Sequence, residues 1–167
     1  MSTMALPDAE ALLTRLETRI RPAVTPNTAL IGIHTGGVWI AERLHRSLGL
    51  AMPLGTIDVS FYRDDFASRG LSRQVRPSTI PFDVEQCDLI LVDDVLYTGR
   101  TIRAAMNELF DYGRPGRIRL AALVDRGGRQ LPIAPQFVAA DLEVPPGKVL
   151  ELKRGEDGLL FFVLANT

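Results

Sequence analysis

Two adjacent carboxylates, Asp93 and Asp94, follow an apolar run and precede the short segment Thr98-Gly99-Arg100-Thr101. The apolar residues 89–92 predict a buried strand, and the apolar period after Thr101 predicts a helix. N–H groups at the N-terminus of a helix bind phosphate with help from the helix dipole, and glycine lets the backbone come close to the ligand. Residues 98–101 therefore predict a phosphate site beside two carboxylates.

The acidic pair limits the kind of molecule to which that phosphate belongs. Asp93 and Asp94 are placed to accept hydrogen bonds from the two hydroxyls of a ribose whose 5-phosphate lies on residues 98–101. An acidic pair after a strand is also typical of a helix cap, or of a Mg²⁺ ligand in an unrelated nucleotide enzyme. The whole segment, LILVDDVLYTGRT, favours the sugar phosphate.

Two common nucleotide-binding motifs are absent from the sequence. A P-loop needs G-x-x-x-x-G-K-[ST], but the only Gly-Lys pair, Gly147-Lys148, is followed by Val149. A dinucleotide-binding fold needs G-x-G-x-x-G after its first strand, where this chain has GIHTGGVW. P-loop nucleotide-binding proteins and dinucleotide-binding folds are therefore excluded.

The elements that position these residues alternate between helix and strand. Apolar residues at helical spacing predict a helix from Asp8 to Arg21, which Pro22 closes. The run ALIGIH, residues 29–34, predicts a strand, after which Thr35-Gly36-Gly37 predict a tight loop and a helix that ends at Gly49. This is a strand-loop-helix unit.

A second unit of the same kind begins at Asp88, where an apolar run predicts a strand as far as Val92. In the helix that follows, Ile102, Leu109 and Phe110 are expected to lie on one apolar face. This helix is expected to end at Gly113. Further strands are predicted in three places: residues 54–62, residues 117–125 and the tail LLFFVLA. Four prolines between residues 132 and 146 interrupt the alternation.

Strands that alternate with helices predict an α/β fold with a mainly parallel central sheet flanked by helices. Ligands of such sheets bind beyond the carboxyl ends of the strands. The site is therefore expected at residues 35–37, 93–101 and 125–128. Residues 63–80 lack an apolar period and carry several arginines, which predicts a flexible loop that closes over the site.

Composition favours one globular domain over residues 1–167, with 46% hydrophobic and 23% charged residues and a net charge of -1. That charge argues against nucleic-acid binding by the chain as a whole, but a local basic patch stays open. The single cysteine, Cys87, has no partner for an internal disulfide. With no signal peptide or membrane span in the pattern, we expect a cytoplasmic protein.

Several stretches of the chain together resemble the PyrR family, whose members combine uracil phosphoribosyltransferase activity with regulation of pyrimidine operons. The stretches are IGIHTGGVWIAERL, VSFYRDD, PFDV, LVDDVLYTGRTIRAAMNELFDYGRP and LVDRGGRQLPI. The resemblance implies a type I phosphoribosyltransferase fold with a small C-terminal or hood subregion. The implied reaction converts uracil and phosphoribosyl pyrophosphate (PRPP) to UMP and pyrophosphate, with Mg²⁺, in a homo-oligomer.

The resemblance also assigns roles to residues. Asp93 and Asp94 would bind the ribose hydroxyls. The nucleotide loop would comprise Val95, Leu96, Tyr97, Thr98, Gly99, Arg100 and Thr101. Pyrophosphate would meet Thr35, Gly36 and Gly37, where many similar sequences have Thr-Arg-Gly. This chain therefore lacks the arginine of that loop, and Arg63 is expected to replace its positive charge as a catalytic residue.

A hood over the base would include Val124, Asp125 and Arg126, within the segment from Leu123 to Arg129. The same residues are also typical of a strand-end ion pair between Asp125 and Arg126 followed by a Gly-Gly turn. Mg²⁺ would reach the site through PRPP and waters near Asp93 and Asp94, without direct protein ligands of its own.

A competing function is that of a UMP-responsive protein that binds RNA and in which catalysis is incidental. Arg15 and Arg19 share a helix face, and Arg129 would join them. A solvated helix face gives the same pattern. Many similar sequences carry a histidine where this chain has Gly128, which favours the enzyme. A third alternative keeps the fold and changes the base, because purine and orotate enzymes bind PRPP in the same way.

Overall fold

The computed structural model describes residues 4–59 and 78–167. Helix α1, Ala9–Ile20, begins where the Asp8 carboxylate accepts hydrogen bonds from the N–H groups of Glu10 and Ala11, at 3.0 and 3.2 Å. It ends before Pro22, which lies in a 3₁₀ turn, Arg21–Ala23. The leucines predicted to form the apolar face are buried, which confirms this helix.

Helices α2, Gly36–Leu48, and α3, Arg100–Phe110, follow the two strand-loop units predicted above. α2 ends at Gly49, whose φ of 61° places it in the left-handed region that favours glycine. α3 buries Ile102 and Leu109, but the side chain of Phe110 is 56% exposed. The prediction that Phe110 belongs to the buried face is therefore wrong.

In the described parts of the chain, five strands form one sheet in the order β2-β1-β3-β4-β5, and every neighbouring pair is parallel. Their bounds are β1, Thr28–Ile33; β2, Gly55–Ile57; β3, Asp88–Leu96; β4, Arg117–Asp125; and β5, Phe137–Asp141. Two further strands, β6, Lys148–Arg154, and β7, Leu160–Asn166, pair as an antiparallel hairpin. The α/β class with a parallel sheet is confirmed.

Four features of the strands differ from the predictions. β2 ends at Ile57, whereas a strand was predicted over residues 54–62, of which residues 60–62 lie outside the described residues. β3 continues four residues past Val92, so that Asp93 and Asp94 belong to the strand and not to the loop after it. β5 and β6 were not predicted, because prolines flank the region that contains them. The predicted last strand exists as β7, but it pairs with β6 outside the parallel sheet.

The apolar core lies on both faces of the sheet. On one face, α1, α2 and the β6–β7 hairpin cover side chains such as Ile90 and Val92. On the other face, α3 covers Leu89 and Leu91. Consecutive residues of β3 thus enter opposite cores, as the pleat of a strand requires, and the sheet is held between two apolar layers.

The outer edge of the sheet at β5 contacts two arginines of α1. Arg15 Nη1 donates a hydrogen bond to the carbonyl of Ala139 at 3.0 Å, and Arg19 donates to the carbonyl of Val138. These contacts tie α1 to the edge strand by side chains as well as by apolar packing.

Within residues 4–59 and 78–167, no helix is both long and apolar enough to cross a membrane. Most of the predicted flexible loop, residues 63–80, lies outside the described residues. Its last residues, from Ser78, are described, and Thr79 pairs with Thr56 in an isolated antiparallel bridge beside β2.

Candidate active site

The loop after β1 and the acidic pair of β3 are in direct contact. A Cβ atom placed on Gly36 would lie 2.8 Å from Cγ of Asp94, and one on Gly37 would lie 3.1 Å from Cα of Asp93. At Gly37 the close atoms are backbone, so that a side chain there would require the strand to shift, whereas at Gly36 they belong to the side chain of Asp94. The peptide bond between His34 and Thr35 is cis.

The two carboxylates are buried at the end of the sheet. Asp93 is 2% exposed and Asp94 is 9% exposed. Oδ1 of Asp93 accepts a hydrogen bond from the N–H of Asp94 at 2.9 Å, and Oδ1 of Asp94 accepts one from the N–H of Val95 at 2.7 Å. These short-range contacts fix both side chains on the strand, where they can accept hydrogen bonds from a polyhydroxyl ligand.

The N-termini of α2 and α3 flank the acidic pair, one at the loop after β1 and the other after β3. α1 begins with two carboxylates, the Asp8 cap and Glu10 in the first turn, whereas α2 and α3 have no acidic residue in their first turns. The positive ends of two helix dipoles therefore meet at one end of the sheet, which suits a ligand with two anionic groups.

We call residues 97–101 the phosphate loop, and its geometry supports a close approach of the backbone to a ligand. Gly99 has a φ of 95°, and a Cβ atom there would lie 2.9 Å from Cγ1 of Ile133. Thr98 and Thr101 are 5% and 8% exposed. Oγ1 of Thr98 accepts a hydrogen bond from the N–H of Arg100 at 3.2 Å, which shapes the turn into α3.

The connection from β4 to β5, residues 126–136, is named the hood loop here, and it lies beside the phosphate loop. Asp125, at the end of β4, forms an ion pair with Arg129 at 2.6 Å, with side-chain exposures of 14% and 23%. The expected ion-pair partner, Arg126, instead places its guanidinium 3.9 Å from the ring centre of Tyr97. The strand-end ion pair exists, but its partner lies four residues along.

Burial raises the pKa of Asp125, but hydrogen bonds from Arg129 and from the N–H of Gly127, together with the Arg129 charge, outweigh this effect. The pKa of Asp125 therefore lies below its ordinary value. This carboxylate is ionised at neutral pH and holds the start of the hood loop.

The structure brings together the residues predicted after β1, along β3 and after β4, and it places Arg15 and Arg19 elsewhere. Arg63 lies outside the described residues. Arg15 and Arg19 lie on α1 against β5, and Arg129 lies between the hood loop and the phosphate loop. In the described part of the chain, no three His, Cys, Asp or Glu side chains form a metal-binding group.

Sequence reasoning missed the contacts that the far end of the hood loop makes with the phosphate loop. The N–H of Gln130 donates to the carbonyl of Thr98 at 2.9 Å, its Oε1 accepts from Nε of Arg100 at 3.1 Å, and Ile133 packs on Gly99. A signal was present, since loops that follow neighbouring parallel strands lie side by side at the same edge.

A model of the phosphoribosyl transferase domain matches residues 5–143. A bifunctional protein PyrR from Pseudomonas aeruginosa is 52% identical over 145 residues, which cover 84% of this chain and 85% of the relative. Another from Nitrosococcus oceani is 50% identical over 154 residues and covers 91% and 86%. The chain belongs to the PyrR family of phosphoribosyltransferases. The resemblance stated from the sequence is confirmed.

Solved structures agree with this assignment. A purine phosphoribosyltransferase from Pyrococcus horikoshii superposes with a TM-score of 0.61 at 25% identity, over 80% of this chain and 82% of that one. A hypoxanthine-guanine phosphoribosyltransferase from Bacillus anthracis gives 0.66 at 16% identity, over 89% and 88%, which shows a shared fold. The type I phosphoribosyltransferase fold is therefore confirmed.

Proposed function

We propose that this protein transfers the phosphoribosyl group of PRPP to uracil, forming UMP and pyrophosphate. The observation that carries the proposal is the buried pair Asp93 and Asp94, in contact with the glycine loop 35–37 and followed directly by the phosphate loop. Two anion-binding segments on either side of a hydroxyl-binding pair match the two phosphate groups and the ribose of PRPP.

Each segment has its own part of the substrate. The N–H groups of the phosphate loop and the dipole of α3 bind the 5-phosphate, with the hydroxyls of Thr98 and Thr101 nearby. Asp93 and Asp94 accept hydrogen bonds from the ribose hydroxyls. Thr35, Gly36 and Gly37, at the positive end of α2, bind the pyrophosphate.

The reaction breaks the bond between the anomeric carbon and a pyrophosphate oxygen and forms a bond from that carbon to a ring nitrogen of the base, which gives up its proton. Positive charge develops on the sugar and negative charge on the departing pyrophosphate. The carboxylates beside the ribose favour the first charge, and the N–H groups after β1 favour the second. The hood loop excludes water from the developing cation.

The donor set at this end of the sheet fits Mg²⁺. This ion binds through one or two carboxylates together with substrate phosphates and waters, and Asp93 and Asp94 stand beside the segment assigned to pyrophosphate. Bound there, Mg²⁺ would neutralise charge on the leaving group.

The base is assigned to uracil because the relatives at about half identity are PyrR proteins, whereas the solved neighbours named above act on purines. We assign the contact with the edge of the base to backbone groups of Val124, Asp125 and Arg126, at the end of β4 and the start of the hood loop. We place the reaction in the cytoplasm, since the lone cysteine, Cys87, is a buried thiol suited to a reducing compartment.

The deciding experiment measures pyrophosphate release from PRPP and Mg²⁺ with uracil, orotate, hypoxanthine and adenine supplied separately. Turnover with uracil alone is the expected result. Turnover with a purine or orotate in place of uracil would move the enzyme to another base. No turnover with any base, from folded protein that binds UMP, would reject the catalytic proposal.

A second function, binding of a pyrimidine-operon leader RNA in response to UMP, is favoured by the bifunctional name of the relatives and by two exposed arginines on α1. Arg15 and Arg19 each donate to a carbonyl of β5, and the remaining donors of each guanidinium suit a phosphate. A homo-oligomer would present two or more copies of this arginine-bearing face of α1. Light scattering measures the size of the oligomer.

The test is filter binding of leader RNA and of a scrambled RNA across salt concentrations, with and without UMP. Preference for the leader sequence would support regulation, because binding through phosphates alone is independent of sequence. Equal retention of both RNAs, or of neither, would reject it.

A further inference from the structure

The carbonyl side of the phosphate loop is held by the hood loop. The carbonyl of Leu96 accepts from the N–H of Arg126 at 3.0 Å, and the carbonyl of Thr98 accepts from the N–H groups of Gln130 and Leu131 at 2.9 and 3.2 Å. Between them, the carbonyl of Tyr97 accepts from Nη1 of Arg129 at 2.7 Å. Three successive carbonyls therefore have partners in one segment.

This arrangement orients the opposite side of the loop as well. In a planar trans peptide the C=O and the following N–H point in opposite directions. Because the carbonyls of residues 96, 97 and 98 face the hood loop, the N–H groups of residues 97, 98 and 99 face away from it. These are the donors that the phosphate loop presents to an anion.

Among these donors to the carbonyls of residues 96–98, Arg129 is the one that donates from its side chain, and it joins three segments of the chain. Its Nη1 and Nη2 form a two-pronged pair with the carboxylate of Asp125, at 3.0 and 2.6 Å, and Nη1 also donates to Tyr97. Its Nε donates to the carbonyl of Ile133 at 2.8 Å. One guanidinium thus connects the end of β4, the phosphate loop and the far part of the hood loop.

The side chain of Tyr97 is held by the same loop. Its ring lies under the guanidinium of Arg126, and a Cβ atom on Gly128 would be 2.9 Å from Cδ1 of the ring. Gly128 has a φ of 81°, so glycine suits both the backbone and the contact. Both the backbone and the ring of Tyr97 therefore depend on where the hood loop lies.

We propose that Arg129 is a positioning residue for the phosphate loop, and that through it the 5-phosphate site and the base hood are one coupled unit. The inference rests on the proposed function, because it assigns the 5-phosphate to residues 97–101. Without the guanidinium fork, the Tyr97 carbonyl loses its partner and the N–H of Thr98 is no longer fixed. Binding of a 5-phosphate weakens, whereas binding of pyrophosphate at residues 35–37 does not change.

The test compares Arg129→Gln with a matched control, Arg103→Gln, which removes an exposed arginine from α3. For Arg129→Gln we expect the Kd for UMP and the KM for PRPP to rise about tenfold. The Kd for Mg²⁺-pyrophosphate should change by less than about twofold, since residues 35–37 follow β1, which β3 separates from β4 in the sheet. The control should match the wild type for all three values.

Arg129→Lys keeps the charge but offers one nitrogen in place of the fork, so that it guards against a folding defect in the glutamine variant. It should weaken UMP binding by about threefold, again without effect on pyrophosphate. Unchanged UMP affinity in both variants, or equal weakening of UMP and pyrophosphate, would overturn the positioning role. Failure of the wild-type protein to bind UMP or PRPP would overturn the proposed function instead.

Discussion

Asp93 and Asp94 are two buried carboxylates at the end of the sheet that are held by the backbone of their own strand. The oxygens of the acidic pair accept hydrogen bonds from the N–H groups of Asp94 and Val95. Carboxylates held by the backbone keep acceptor capacity for a ligand, and we therefore expect them to carry the ribose contacts.

Conversion of either carboxylate to an amide should lower kcat/KM for PRPP without unfolding the protein. For Asp93→Asn and Asp94→Asn we expect a loss of about 100-fold, since hydrogen bonds to a charged acceptor contribute more than those to an amide. Steady-state kinetics give the rate, and circular dichroism reports the fold. Asp111→Asn, an exposed change at the far end of α3, is the matched control.

Wild-type rates in both Asp93→Asn and Asp94→Asn would exclude the ribose assignment. A loss of activity that accompanies loss of the circular dichroism signal would assign these residues to stability alone.

Among the elements, α1, α2 and β7 meet at a single carboxylate. Glu10 accepts from Nη2 of Arg43 at 2.6 Å and from the N–H of Leu160 at 2.9 Å. The hydrogen bond from Arg43 lowers the pKa of Glu10, burial opposes it, and the Leu160 N–H and the Arg43 charge add to the lowering. Since the folded pKa lies below the ordinary value, the ionised form stabilises the fold.

This contact predicts how stability depends on pH. The contribution of Glu10 is complete above its unfolded pKa of about 4.3 and is lost as the pH falls through the lower folded pKa. Glu10→Gln should therefore lower Tm by about 3 °C at pH 7, and its difference in Tm from the wild type should shrink as the pH falls through the folded pKa.

Thermal unfolding monitored from pH 3 to pH 7 measures this difference. Glu156→Gln, an exposed change in the turn of the β6–β7 hairpin, is the control and should follow the wild type throughout. A Tm difference for Glu10→Gln that stays constant over the whole range would contradict the role of its charge.

The elements that the sequence predicted well are those in which one signal dominates. β1 and β4 are apolar runs, and α2 has both a periodic face and Gly49 at its end. β3 was predicted too short because Asp93 and Asp94 interrupt its apolar pattern, although both are buried. The free-energy cost of burying a carboxylate in a strand is offset by hydrogen bonds or by a ligand, and the local sequence pattern reveals neither.

The weaker elements depend on contacts that a local pattern does not contain. β5 is short, with the sequence FVAAD between prolines, and it is stabilised by β4 on one side and by α1 on the other. Phe110 follows the helical period but lies at the last position of α3, where the core has ended. Tertiary context decided both cases.

At the scale of the whole molecule, the β6–β7 hairpin belongs to the same apolar layer as α1 and α2, although the family model ends at residue 143. Leu150, Leu152, Leu160 and Phe162 are each between 4% and 6% exposed. The C-terminal residues therefore contribute to the core that supports the site.

Two neighbouring phenylalanines of β7 test this contribution. Phe162 is 5% exposed and Phe161 is 47% exposed, because consecutive residues of a strand face opposite sides. Phe162→Ala should lower the free energy of unfolding by about 3 kcal/mol or more, and Phe161→Ala by less than about 1 kcal/mol. Urea denaturation measures both, and equal losses would place the hairpin outside the cooperative core.

The arginines that cover β5 have a consequence for the colloidal behaviour of the protein. An edge strand with uncovered carbonyls is a template for pairing with another molecule, and Arg15, with Arg19 beside it on α1, covers the outward carbonyl of Ala139. Their joint replacement by alanine should therefore increase light scattering with concentration, whereas Arg46→Ala with Arg114→Ala should not. Loss of RNA binding by the Arg15→Ala, Arg19→Ala variant therefore tests the RNA-binding role only in samples that light scattering shows to be free of aggregates.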